Sequence, residues 1–286
     1  MKNNNLLSDP FRGAWAINPA YVAECEAWLN KYLSGAILPE PESTKEIIAA
    51  AYADYGSTNI QTQERRIAVI PMRGLLPAYS YWSWSAEDYL DIFRAYNDSD
   101  KIAAVVINMN GPGSSVDAIN MMKEFAEEKK KPFVVLANSC YSGHQWLASI
   151  IADHIMAYGD ITSGFGSIGV LSMGLDSRKA METDGYKMQI IRARKSSTKA
   201  QQMVDYYEGK DAEFIKSLQD EMDPMVDAFV ADMKASRPNL KLNTEGLFTG
   251  STFTAKEALA AGLIDSIGNE KKAIERAQML IDLEIY

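Results

Sequence analysis

From residue 65 to residue 193 the chain alternates between short apolar, often β-branched runs and longer segments in which apolar residues recur with a helical period. The short runs predict strands at 66–72, 102–108, 132–137, 154–158 and 187–193. The longer segments predict helices at 85–96, 116–129 and 142–151, with a short one at 177–183. Strands that alternate with helices of ~10 to 14 residues favour βαβ units. The predicted fold class is therefore α/β, with a layered arrangement.

Both ends of the chain are predicted to be helical. The N-terminal pattern predicts helices over 19–34 and 44–55 and a polar linker over 56–64, and a docking arm, a lid and a removable propeptide all fit such a segment. Near the other end, helices are predicted over 212–236, over 255–261 and from Glu270, with Pro224 expected to kink or restart the first of them. We therefore expect an N-terminal extension over 1–62, a main domain over 63–270 and a C-terminal helix over 271–286.

Composition excludes several classes of protein. The net charge of −9 argues against a general nucleic-acid binder, because phosphate neutralisation needs clustered lysines and arginines. The chain has two cysteines and two histidines, which give neither a disulfide framework nor the usual donor set of a metal site. It has no signal-peptide pattern and no apolar run of ~20 residues. We therefore expect a cytoplasmic protein without membrane contact, metal or disulfides.

The candidate chemistry centres on Ser142. It follows the predicted strand 132–137 and precedes an apolar helical pattern, so that it lies at a strand-to-helix turn with Gly143 directly behind it. The N–H groups of a first helical turn are unpaired and favour negative charge. That position suits a nucleophile. The alternative is that Ser142 only caps the helix, a role that serine often takes.

A second turn follows the predicted strand 102–108, in the sequence Asn110-Gly-Pro-Gly-Ser-Ser115. A tight glycine turn between strand and helix can direct N–H groups at an oxyanion or a phosphate. It also fits an ordinary strand–turn–helix connection. The dinucleotide and P-loop fingerprints are absent, so that no organic cofactor is implied.

Taken together, these turns occur in an order that resembles a known family. Asn110-Gly-Pro-Gly-Ser-Ser-Val116 is followed by Ser142-Gly143, then by Gly166-Ser-Ile-Gly-Val170, and finally by Thr249-Gly250, Glu257-Ala258 and Gly262-Leu-Ile-Asp265. Over roughly residues 65 to 270 this order resembles the S49 serine peptidases, which include signal peptide peptidase A enzymes and phage head-maturation proteases. The resemblance implies a Clp protease/crotonase fold of repeated ββα units. Gly13-Ala-Trp-Ala-Ile-Asn-Pro19 also resembles the leader of phage-encoded members.

The resemblance implies a site for each catalytic role. Ser142 matches the nucleophile, and the N–H groups of Gly113 and Gly143 match the oxyanion hole. The family's base is a lysine, and this chain offers Lys199, which we favour on spacing, or Lys195. A lysine acts as a base only when neutral, so that its ordinary pKa of ~10.4 has to fall towards neutral pH.

The sequence also departs from the family pattern. Cys140-Tyr-Ser-Gly-His144 replaces a small-small-Ser-Gly-Gly context, and Asn110-Gly-Pro-Gly-Ser114 replaces Asn-Ser-Pro-Gly-Gly. A Ser-His-Asp triad is the second candidate mechanism, but His144 faces another direction on the helix and His154 lies about 18 Å along its axis.

The function expected from this resemblance is a serine endopeptidase of phage or prophage origin that cleaves scaffold or capsid precursors, in a host cytoplasm or a prohead. The expected partners are a polypeptide substrate and further copies of the chain in a ring. Alternatives are a degradative protease of the signal-peptide-peptidase type, an inactive assembly protein on the same fold, and a crotonase-type acyl-CoA enzyme that uses the same turns without a nucleophile.

Overall fold

The computed structural model describes residues 15–17, 66–80, 83–174 and 176–284, with the backbone alone described for 15–17 and 284. Its strands are β1 (Trp15–Ile17), β2 (Arg66–Arg73), β3 (Ile102–Gly111), β4 (Gly113–Ser115), β5 (Phe133–Tyr141), β6 (His154–Tyr158), β7 (Gly164–Gly166), β8 (Thr252–Thr254) and β9 (Ser266–Gly268). Its helices are α1 (Ala86–Asp98), α2 (Val116–Glu128), α3 (Gly143–Ile151), α4 (Arg178–Thr183), α5 (Gln201–Tyr207), α6 (Asp211–Ser236), α7 (Ala255–Ala261) and α8 (Glu270–Glu284).

A parallel sheet organises the described residues. Its strands follow the order β2-β3-β5-β6-β9, and each neighbouring pair is parallel. The far end of β5 also pairs with β7, which in turn pairs antiparallel with β8. Two strands lie outside this sheet, since β1 pairs antiparallel with β4. Because parallel strands end at one edge, the loops after β3 and β5 meet there.

Helices cover both faces of the sheet, as the apolar character of the strands requires. Along β3, Val105, Ile107 and Met109 face one core, while Ala104 and Val106 face another. The first core contains the apolar sides of α1, α2 and α3 and the buried end of α6. The second core lies under α8. The strand alternation therefore places one residue set in each layer.

The second half of the chain extends away from this core. Helix α6 buries Phe229 and Met233 near its C-terminal end, whereas its N-terminal half is largely exposed. Arg178 of α4 joins that outer half, donating to the Tyr206 carbonyl and to Asp211, each at 2.7 Å. Helices α4 and α5 and the outer half of α6 are thus joined as one unit, which we call the arm.

Most predicted elements are confirmed. The α/β class, the strands at 66, 102, 132 and 154 and the helices that follow them are present, with bounds shifted by a few residues. The predicted strand over 187–193 is wrong, because those residues form no strand and are mostly exposed. Helix α6 continues through Pro224 without restarting. The predictions over 19–34, 44–55 and 56–64 lie outside the described residues.

Candidate active site

Ser142 lies between β5 and α3, in a backbone conformation that serine rarely adopts. Its φ is 51° and its ψ is −116°. Such a conformation costs of order 1–3 kcal/mol and is found where the surrounding structure enforces it, often at functional sites. The side chain makes no capping hydrogen bond to α3. The alternative that Ser142 is only a helix cap is therefore not supported by its contacts.

The loop over 166–169 holds Ser142 at two points. The Ser142 N–H donates to the Gly166 carbonyl at 2.7 Å. The Ser142 hydroxyl donates to the Gly169 carbonyl at 3.2 Å, and the residue has 0% of its surface exposed. This loop is the Gly-Ser-Ile-Gly motif seen in the sequence. Its role is thus to fix both the backbone and the side chain of Ser142.

A further sequence motif supports that loop from behind. The Ser167 N–H donates to the Ser251 carbonyl at 2.7 Å, next to the Thr249-Gly250 motif. Phe165 of β7 lies opposite Phe253 of β8. Two motifs that are more than eighty residues apart in sequence therefore form one support beneath Ser142.

Gly143 brings the start of α3 into direct contact with β4. A Cβ atom at residue 143 would overlap the Ser114 side-chain oxygen and would lie 2.6 Å from the Ser114 nitrogen. No larger residue fits this position without movement of the β4 backbone. Gly113, the preceding residue of β4, has a φ of 140°, a value that favours glycine. The two predicted oxyanion-hole residues are thus brought to adjacent backbone segments beside Ser142.

His144 fills the space beneath the turn that precedes β4. Its ring lies so close to Gly111 that a Cβ atom at residue 111 would overlap it. The side chain is completely buried, and neither ring nitrogen has a hydrogen-bond partner among the described residues. Burial lowers its pKa to about 4, and the Gly113 backbone opposes this shift. His144 is therefore a neutral packing group at neutral pH, and no hydrogen bond joins its ring to the Ser142 hydroxyl.

His154 belongs to a separate cluster at the start of β6. Its Nε2 atom lies 2.7 Å from the Ser266 hydroxyl, and its Nδ1 atom lies 3.9 Å from Asp265. Burial lowers its pKa, while the charge of Asp265 acts in the opposite direction. No hydrogen bond joins His154 to Ser142, so that the described residues do not form the alternative Ser-His-Asp triad.

The two candidate lysines lie on the surface of the arm. Lys195 and Lys199 are both exposed, in the turns between α4 and α5, and neither forms an ion pair with a described residue. Neither one is hydrogen-bonded to Ser142. The structure therefore brings Ser142, Gly113 and Gly143 together and leaves the base outside this cluster. The described residues contain no group of histidine, cysteine, aspartate and glutamate side chains arranged to hold a metal ion.

Trp146, four residues after Ser142, anchors α3 to the long helix α6. Its ring stacks on Phe229 with centroids 4.3 Å apart and planes 7° from parallel. Its Nε1 atom donates to Asp232 at 2.8 Å, and Asp232 pairs with Lys123 of α2. An offset stack of this kind adds about 0.5–1.5 kcal/mol to the burial of its rings. The helix that carries Ser142 is therefore fixed from its outer side.

Comparison with known proteins gives the family. The model described as peptidase family S49 matches residues 125–284, more than half of the chain. The chain belongs to peptidase family S49. Protease 4 of Haemophilus influenzae is 25% identical over 201 residues, which cover 67% of this chain and 30% of that protein. Putative protease MJ0651 of Methanocaldococcus jannaschii is 24% identical over 200 residues, which cover 69% and 62%.

The chain thus spans less than a third of the length of Protease 4 and under two thirds of the length of the second relative. Among solved structures it is similar to a mutant of the 1510-N membrane-bound stomatin-specific protease in complex with a substrate peptide, at 16% identity. That match covers 76% of this chain and 81% of the other, with a TM-score of 0.43. An enoyl-CoA hydratase/isomerase family member is 16% identical, with coverage of 76% and 72% and a TM-score of 0.42.

Proposed function

We propose that this S49 chain is a serine endopeptidase whose nucleophile is Ser142. The observation that carries the proposal is the geometry of Ser142, at the start of α3 with a φ of 51° and with Gly143 packed on Ser114 of β4. In the reaction, the Ser142 oxygen attacks a peptide carbonyl and its proton passes to a base. The amine then leaves with that proton, and water hydrolyses the remaining ester.

The N–H groups of Gly113 and Gly143 serve as the oxyanion hole in this proposal. The N–H of Gly143 belongs to the first turn of α3, where an α-helix supplies no acceptor. Gly113 lies next to Ser114, which contacts Gly143 directly. Loss of one such donor typically reduces kcat by about 10²–10³-fold. The oxyanion of the tetrahedral intermediate would lie between these two backbone segments.

The base in this proposal is Lys199, with Lys195 as the alternative. In the single chain the Ser142 hydroxyl donates to Gly169 and is buried, whereas both lysines are exposed. Catalysis therefore requires a lysine-bearing segment to approach Ser142 and to displace the Gly169 carbonyl as the partner of the hydroxyl. Burial on approach supplies the fall in lysine pKa that a neutral base needs.

The substrates proposed are scaffold or capsid precursors in phage head assembly. This assignment follows from the sequence resemblance of Gly13–Pro19 to phage-encoded leaders. No helix among the described residues combines the length and apolarity that a membrane crossing demands. A degradative role of the signal-peptide-peptidase type is the second candidate, and an inactive assembly protein on this fold is the third.

A fluorophosphonate probe tests the nucleophile, since it labels an activated serine covalently. We expect labelling of the full chain and its loss in Ser142→Ala. The matched control is Ser149→Ala, which removes a buried hydroxyl from the same helix. The Ser149 hydroxyl forms hydrogen bonds only with Gln145 of α3, so that its loss should leave labelling intact. Absence of labelling in the unmodified chain would favour the inactive assembly protein or a crotonase-type acyl-CoA enzyme.

The base is tested by Lys199→Ala and Lys195→Ala. We expect Lys199→Ala to abolish turnover and Lys195→Ala to lose far less. Both side chains are exposed, so that each substitution should change the free energy of unfolding by less than about 0.5 kcal/mol. The opposite order of effects would assign the base to Lys195.

A further inference from the structure

The chain places part of its own N-terminal segment on the strand that carries the proposed oxyanion hole. Strand β1 lies antiparallel to β4, with Trp15 opposite Ser115, Ala16 opposite Ser114 and Ile17 opposite Gly113. Strand β1 also lies beside α3, the helix that begins after Ser142. A segment that precedes the parallel sheet by about fifty residues is therefore held at the proposed catalytic centre.

Hydrogen bonds on the other edge of β4 show which groups face β1. Leu76 occupies that other edge, donating to the Gly113 carbonyl at 3.1 Å and accepting from the Ser115 N–H at 3.0 Å. Successive residues of a strand direct their N–H and C=O groups to opposite edges. The N–H and C=O of Ser114 are thus the groups on the edge that β1 takes, and Ala16 is the residue that pairs with them.

This edge is the kind of surface that binds an extended peptide. A strand edge binds an extended peptide through main-chain hydrogen bonds, which supply the affinity. Ser114 is in contact with Gly143, so that a peptide on this edge passes directly beside the residue that follows Ser142. The backbone of β1 occupies that path, and Ser142 and Ser114 are both completely buried.

We propose that the β4 edge is the site at which a peptide substrate's backbone binds, and that residues 15–17 of the same chain occupy it as an intramolecular competitor. The competitor reduces access to Ser142 until a substrate strand displaces it. The ligand class is an extended polypeptide that runs antiparallel to β4. The effect on catalysis rests on the proposed peptidase function. The pairing of β1 with β4 does not depend on that function, and peptide binding tests it separately.

The test uses the full chain with one backbone donor removed at a time. Ala16→Pro removes the N–H that faces Ser114, whereas Ile17→Pro removes an N–H that points away from β4, and proline is tolerated at such an edge position. We expect Ala16→Pro to lower KM for a fluorogenic peptide roughly three- to tenfold, the effect of one main-chain hydrogen bond, with kcat unchanged. Ile17→Pro should behave as the unmodified chain does. Mass spectrometry checks that every variant keeps its N-terminus.

A binding measurement separates this proposal from the peptidase function. A fluorescent peptide with the sequence of residues 11–21 should bind Ala16→Pro more tightly than the unmodified chain. N-methylation of its Ala16 should weaken binding by at least the same three- to tenfold factor, and N-methylation of its Ile17 should leave binding unchanged. If fluorophosphonate labels no variant while this binding pattern is seen, the peptidase function fails and the competitor proposal stands. If every variant is labelled and turns over equally and the peptide binds none, the competitor proposal is overturned and the peptidase function stands.

Discussion

The residues around Ser142 carry most of the unpaired polar atoms in the described part of the chain. The buried side-chain nitrogen and oxygen atoms without a hydrogen-bond partner there belong to Ser114, Ser115, His144 and Arg276. Three of these four residues lie on β4 or in the first turn of α3. An unpaired buried polar atom costs about 1–3 kcal/mol. The chain therefore accepts a local loss of stability at the place where its chemistry is proposed.

The first stability prediction is that burial of His144 destabilises the folded chain at acid pH. The pKa of His144 is lowered by burial to about 4 in the folded chain, against an ordinary value of 6.5. The unfolded chain therefore binds a proton more readily, and stability is lost as pH falls from about 6.5 to about 4. At 1.36 kcal/mol per pKa unit, the loss attributable to this residue between pH 7 and pH 4 is about 3 kcal/mol.

Urea unfolding at pH 7 and pH 4 measures this effect. The control is His144→Asn, which removes the titrating ring and keeps a polar side chain. The fall in the free energy of unfolding between the two pH values should be smaller in His144→Asn by about 3 kcal/mol. An equal fall in both proteins would show that His144 is not kept neutral by burial.

At the scale of elements, a partly buried ion pair joins the end of α6 to the segment after α7. Arg237 donates to both carboxylate oxygens of Asp265, at 2.6 and 3.0 Å, and to the Gly262 carbonyl at 3.2 Å. Asp265 also accepts the Ile155 N–H of β6 at 2.8 Å. The aspartate of the family motif is thus a structural residue that links three parts of the chain.

The second prediction is that Arg237→Met destabilises the fold strongly. The substitution leaves the half-buried Asp265 carboxylate without its guanidinium partner, and the loss of one partner costs up to about 3–5 kcal/mol when a pair is fully buried. Lys256→Ala is the comparison, because Lys256 forms an exposed, solvent-screened pair with Asp160 whose loss should change stability much less. Thermal unfolding should also show Arg237→Met/Asp265→Leu to be more stable than Arg237→Met alone. If the double variant is the less stable of the two, the unpaired charge is not the cause.

The elements that the sequence predicted share one property, which is a clear period over many residues. Strands such as β3 and helices such as α2 show it, and both were found close to their expected bounds. The expected strand over 187–193 has apolar residues but no partner strand, and Ile191 remains 90% exposed. The pairing of β1 with β4 could not be predicted, because three residues carry no period and their partner lies about a hundred residues away.

The same distinction applies within the candidate site. Ser142 and Gly143 could be proposed as site residues because one local turn contains both of them, whereas Gly113 was proposed from the resemblance to the family. The choice between Lys195 and Lys199 stayed open, because a base is identified by its distance from the nucleophile in the folded chain. Sequence spacing does not give that distance, and both residues lie in the exposed segment between α4 and α5. The contact between His144 and Gly111 also depends on two distant segments, and nothing in either segment alone indicates it.

At the scale of the whole molecule, assembly is the main expectation. The apolar stripe on α6 divides into two parts, because Phe229 and Met233 lie in the core of the chain while Phe214, Leu218 and Met222 are only half-buried. Trp84, in the aromatic loop after β2, packs on Tyr89 with ring centroids 5.2 Å apart. The apolar surface available for contact with other copies therefore includes the outer half of α6, where Ile215 is exposed.

The third prediction is a homo-oligomer larger than a dimer at micromolar concentration. Light scattering of the full chain measures its mass, and Ile215→Lys on the outer half of α6 should reduce it, because Ile215 is about half exposed and its replacement does not disturb the core. Lys216→Ala, at the exposed neighbouring position, should leave the mass unchanged. A 31.7 kDa species that is fully active on a peptide substrate would contradict the prediction.

Helix α6 also connects Ser142 with the segment that carries the proposed base, so that bending of this helix determines how far the two move relative to each other. One end is stacked on Trp146, close to Ser142. The other end is bonded through Arg178 to α4, and the segment between α4 and α5 carries Lys195 and Lys199. About 20 Å of helix separates Pro224 from the outer end, at 1.5 Å per residue. The Pro224 ring removes one backbone hydrogen bond from α6, which makes this position the weakest point of the helix. A tilt of about 5° at Pro224 then moves the outer end of α6 by about 2 Å. A displacement of that size is enough to form or to break a hydrogen bond, because hydrogen bonds need donor–acceptor distances of about 2.7–3.2 Å.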